Sequence, residues 1–75
     1  MVLVMTIKEL AEKHGVIKRE FHQGAVVLQL PNQTEVYLER TSFGFIIQSY
    51  MHPGNTFRFD TIEELESELV AMKGR

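Results

Sequence analysis

Serine, aspartate, glutamate and histidine are the side chains of this sequence whose types could do chemistry. A serine nucleophile needs a base beside it and a third group to orient that base. Ser42, Ser49 and Ser67 stand in no strained elbow sequence, and Asp60, the only aspartate, is placed to cap a helix. Glu35 and Glu39 fall on one face of an expected strand, roughly 13 Å apart by the strand rise. Paired glycosidase carboxylates stand only ~5–9.5 Å apart. His14, His22 and His52 are separated by 8 and 30 residues, neither a metal-ligand spacing. Cysteine is absent, which removes thiolate metal sites and disulfides. The chain therefore reads as no enzyme, with no catalytic residues, no cofactor and no metal site.

The elements that would position any site are easier to read. Thr6-Ile7-Lys8-Glu9 is a capping box, with Met5 and Leu10 as its hydrophobic staple. Ile7, Leu10, Ala11 and His14 then share one helical face. Gly15 ends the helix as a left-handed residue, and Val16 folds back on Ala11. Residues 24–30 form the first strand and residues 34–41 the second, joined by a Pro31-Asn32-Gln33 turn. The third strand covers 43–51, with Gly44 marking a bulge. Pro53-Gly54 specifies a type II turn before a fourth strand at 56–60. Thr61-Ile62-Glu63-Glu64 is a second capping box. Ile62, Leu65, Leu69 and Met72 make the apolar stripe of the last helix. Residues 16–23 can be read as either a helical turn or an extended segment.

Residues 6–16, Thr6-Ile7-Lys8-Glu9-Leu10-Ala11-Glu12-Lys13-His14-Gly15-Val16, resemble the first helix and turn of many bacterial helix-turn-helix DNA-binding domains. Ala11 and Gly15 match its small contact residue and turn glycine, and Phe21 its apolar position in the recognition helix. The resemblance implies a recognition helix at 17–23. Lys18, Arg19, His22 and Gln23 would then meet phosphates or bases. Ile17 stands where a small polar cap is usual, and the third core helix is missing.

Charge weighs against nucleic acid. Residues 1–59 carry six basic and five acidic side chains, residues 60–75 two and five, giving the net −2. Neither part has the basic excess that phosphate neutralisation needs. Phe43, Phe45, Phe57 and Phe59 fall on inward positions of neighbouring strands and read as core, not as a base-stacking platform.

Seventy-five residues allow one small domain. Its core alone supplies only ~3–5 kcal/mol, so a partner chain is the stabilising device left. No apolar run approaches the ~20 residues of a membrane helix. No signal peptide is apparent, and a cytoplasmic location is the default expectation. The expected fold is α+β: one domain over 1–75, a four-stranded antiparallel meander flanked by an N-terminal and a C-terminal helix (α-β-β-β-β-α). The expected function is a small protein–protein interaction module, a regulator or inhibitor acting by binding. Val27, Tyr37, Ile46 and Tyr50 form its interface and a homodimer its first assembly. Glu63, Glu64, Glu66 and Glu68 form an acidic face for a basic partner. The alternatives are a DNA-binding regulator using residues 6–23 and a structural subunit of a larger assembly.

Overall fold

The computed structural model describes residues 5–22, 24–49 and 56–74. Helix α1 (Ile7–His14) leads into five strands, β1 (Val16–His22), β2 (Ala25–Gln29), β3 (Glu35–Thr41), β4 (Gly44–Ser49) and β5 (Thr56–Phe59), and helix α2 (Ile62–Lys73) closes the chain. The strands form one antiparallel sheet in the order β1-β2-β3-β4-β5. The fold is α+β with a meander, as the sequence predicts, but with five strands instead of four.

The extra strand is β1, in the segment that sequence left open. The recognition helix implied at 17–23 is absent there, because Val16–His22 pairs antiparallel with β2. Two irregularities in that pairing, between Ile17 and Arg19 and between Glu20 and His22, break the two-residue alternation that marks a strand.

The ends of α1 show how local sequence sets the frame. Thr6 Oγ1 accepts from the Glu9 amide at 3.1 Å, and Glu9 Oε1 accepts from the Thr6 amide at 3.4 Å. Both halves of the capping box are therefore made. Gly15 is extended (φ −179°), not left-handed, and Val16 is exposed and does not fold back on Ala11. Glycine is required there for another reason. A Cβ at position 15 would collide with the Gln29 carbonyl oxygen and lie 2.9 Å from Leu28 Cδ1, so the helix end sits directly against β2. At α2 the cap is Thr61, whose hydroxyl accepts from the Glu64 amide at 3.2 Å and donates to Glu64 Oε1 at 3.1 Å.

The β2–β3 turn forms as expected. The Gln33 amide donates to the Leu30 carbonyl at 2.8 Å, with Pro31 and Asn32 between them, and Gln33 is left-handed at φ 70°. The Pro53-Gly54 turn lies outside the described residues.

Both helices pack on one face of the sheet. Ile7, Leu10 and Ala11 of α1 and Leu65 and Leu69 of α2 join Val26, Leu28, Val36, Leu38 and Ile47 in a single core. Fully burying a leucine such as Leu65 contributes ~1.5–3 kcal/mol. An exposed ion pair such as Lys8–Glu20, at 3.9 Å, contributes ~0–1 kcal/mol, so the apolar seam decides where the helices sit.

The four phenylalanines divide. Phe45 and Phe59 pack against the core. Phe57 is 53% exposed on the outermost strand, and Phe43 is 80% exposed. Phe43 precedes β4 instead of starting it: Thr41 Oγ1 accepts from its amide at 3.1 Å and donates to the Gly44 carbonyl at 3.1 Å. That pair of bonds makes residues 42 and 43 a tight turn and puts Phe43 at its tip.

Candidate interaction surface

The second face of the sheet is built from the alternate strand positions, which point away from both helices. Ala25 and Val27 of β2 are buried there all the same, Val27 to 3% exposure. In register, Val27 lies between Arg19 of β1 and Tyr37 of β3. The Phe21 ring meets the Tyr37 ring edge-on, with centroids 5.8 Å apart and planes at 68°. The Arg19 guanidinium lies 4.8 Å from the Phe21 centroid. Arg19, Phe21 and Tyr37 thus make one contiguous row beside Val27, with Phe21 48% exposed.

Beside that row, Ile46 of β4 pairs with Glu39 on one side and Arg58 on the other. Partial burial first, then the Glu39 carboxylate and its hydrogen bond, push the Tyr37 phenol above its ordinary pKa and keep it protonated. The face therefore carries two aromatic rings, an aliphatic side chain and both signs of charge.

The expected interface set is partly brought together here. Tyr37 and Ile46 are half-buried on this face, Val27 is closed over by its neighbours within the chain, and Tyr50 lies outside the described residues. Of the expected nucleic-acid contacts, Lys18, Arg19 and His22 stand on a strand, and Gln23 lies outside the described residues. Arg19 is turned onto Phe21.

The acidic row does not present one face. Glu63 and Glu64 are exposed in the first turn of α2, and Glu64 is engaged by Thr61. Glu68 is half-buried. Glu66 is turned toward α1, where its Oε2 lies 2.9 Å from Lys13 Nζ and 2.8 Å from His14 Nε2.

His14 is the buried polar group of the helix seam. Lys73 Nζ lies 3.0 Å from its Nδ1. An ammonium only donates, so Nδ1 accepts and the ring proton sits on Nε2, facing Glu66. These hydrogen bonds, His14 first and Lys13 second, hold the Glu66 carboxyl below its ordinary pKa. The chain Lys73–His14–Glu66–Lys13 ties the two helices together. Among the described residues no group of three or more His, Cys, Asp or Glu converges as a metal site requires. Among them, no helix is long and apolar enough to cross a membrane.

The strand alternation Thr56-Phe57-Arg58-Phe59 puts Arg58 on the outward face, where it pairs with Ile46, although the expected interface set includes neither Arg58 nor Phe21. Phe21 was hidden by the irregular pairing of β1. No protein-family model, curated protein or solved structure matches the chain.

Proposed function

We propose that this chain is a small protein–protein interaction module that acts by binding rather than by catalysis, and that the second face of the sheet is its docking surface. One observation carries the reading: α1 and α2 both pack on the opposite face, and this one keeps a half-exposed Phe21 with the Arg19 guanidinium over its ring and Tyr37 meeting it edge-on. Aromatic residues and arginine are the types that dominate binding energy at protein interfaces, and lysine is depleted there. Ile46, flanked by Glu39 and Arg58, adds an apolar centre with polar surroundings.

In the absence of another protein the occupant is a second copy of the chain, in a two-fold pair. A domain of this size gains stability from such pairing. Amide spectra of the protein recorded over a dilution series test the assignment. The changes belong to β1, β3 and β4, at Phe21, Tyr37 and Ile46. Changes confined to α2, or to the exposed edge of β5, place the docking surface elsewhere.

A further inference from the structure

A cleft of about 300 Å³ opens at one end of the sheet, on the side that carries the helices. It lies at the far end from the His14 seam, beside the start of α1. Met5, Ile7 and Phe45 give it apolar walls, and Arg40 and His22 supply its charged and polar donors. Among the described residues its lining contains no acidic side chain.

Both donors stand on exposed residues, and backbone bonds fix the chain beneath Arg40 and one edge of the His22 ring. The Arg40 amide donates to the Gly24 carbonyl at 2.7 Å, and the Gly24 amide donates to His22 Nδ1 at 3.2 Å. An imidazole that accepts at Nδ1 carries its proton on Nε2, so His22 is a donor to anything placed at its free nitrogen. Gly24 brings the two together. A Cβ at that position would lie 3.4 Å from Arg40 Cβ and 3.6 Å from the His22 ring. The start of α1 is already closed by Thr6 and Glu9, so an anion in the cleft would rest on side chains and not on the helix end.

We infer that this cleft binds a carboxylate attached to a compact apolar group, with Arg40 and His22 on the carboxylate and Phe45, Ile7 and Met5 around the apolar part. A guanidinium matches a carboxylate with two parallel N–H donors. An apolar-walled cleft with a few convergent donors is the ordinary form of a small-ligand site. The shared chemistry belongs both to a small organic acid and to the C-terminal residue of a peptide. This site is separate from the docking surface proposed above, so either can fail without the other.

The test titrates the full chain with benzoate, N-acetyl-leucine, N-acetyl-leucinamide and inorganic phosphate, following backbone amide shifts. The expected result is saturable shifts at Ile7, Gly24 and Arg40 with benzoate or N-acetyl-leucine, at a dissociation constant of about 1 mM or tighter. N-acetyl-leucinamide should give none. Benzoate as the tighter ligand assigns the site to small acids, and N-acetyl-leucine as the tighter ligand assigns it to a peptide C-terminus. Arg40→Ala should weaken either by about tenfold or more. The substitution keeps the backbone bond to Gly24, and an unchanged urea midpoint verifies that the variant is folded. Phosphate binding as tightly as the apolar acids overturns the inference. So do equal binding of the neutral amide, retained affinity in Arg40→Ala, and an absence of saturable shifts with any of the four.

Discussion

Nε2 of His14 lies 2.8 Å from the Glu66 carboxylate, joining the last residue of α1 to the second turn of α2. The pair is the polar part of an otherwise apolar seam, and Lys13 and Lys73 complete it. It explains why a histidine occupies the inward stripe of α1 and why one glutamate leaves the acidic row of α2.

The seam sets a pH dependence. The Glu66 carboxyl is held below its ordinary pKa, chiefly by the hydrogen bond from His14 and then by Lys13. A carboxyl with a depressed folded pKa contributes stability that is present above its unfolded value and is lost as pH falls through the folded one. Glu66→Gln should therefore destabilise by about 1 kcal/mol near neutral pH. The difference from wild type should shrink as the solution is acidified below the ordinary glutamate range. Urea unfolding of both proteins over that range checks it. A difference that stays constant into acid would mean the carboxylate charge plays no part in the seam.

Gly44 should tolerate no side chain. Its φ is +140°, and a Cβ there would collide with the Phe59 carbonyl oxygen on the neighbouring strand. Backbone strain and the collision add, so Gly44→Ala should lose roughly 2 kcal/mol or more. A thermal or urea midpoint equal to wild type would contradict the β4–β5 geometry.

Gln33 should gain from the opposite change. It adopts φ 70° at the end of the Pro31-Asn32 turn, a conformation that suits glycine. Gln33→Gly should stabilise by ~0.5–1 kcal/mol, after allowing for the greater freedom of glycine in the unfolded chain. A clear loss of stability would mean that the glutamine side chain contributes to the turn.

The sequence carried most of this fold in its local signals. Thr6, Glu9 and Thr61 marked the helix starts. Val36 and Leu38 alternate with Tyr37 and Glu39 in a strand whose two faces differ. The Pro31-Asn32-Gln33 turn was legible from its proline and asparagine. What was hidden depended on contacts between distant segments. The two irregularities of β1 erased its period, so Val16–His22 did not read as a strand. Phe57 alternates like a core residue, yet it is half-exposed because β5 ends the sheet, with no strand beyond it among the described residues. The site was less legible than the fold. Tyr37 and Ile46 share a face by parity alone, whereas Phe21 and Arg19 join them only through the pairing of β1 with β2.

Pairing through the second face is the central claim, and sedimentation equilibrium at tens of micromolar tests it most directly. Wild type should sediment as a dimer, twice the 8.7 kDa chain mass. Ile46→Lys, which places an ammonium between Glu39 and Arg58 at the centre of the face, should sediment at 8.7 kDa while keeping the helix and sheet signals of a folded protein. A wild-type mass of 8.7 kDa, or a dimer that survives Ile46→Lys, would contradict the claim.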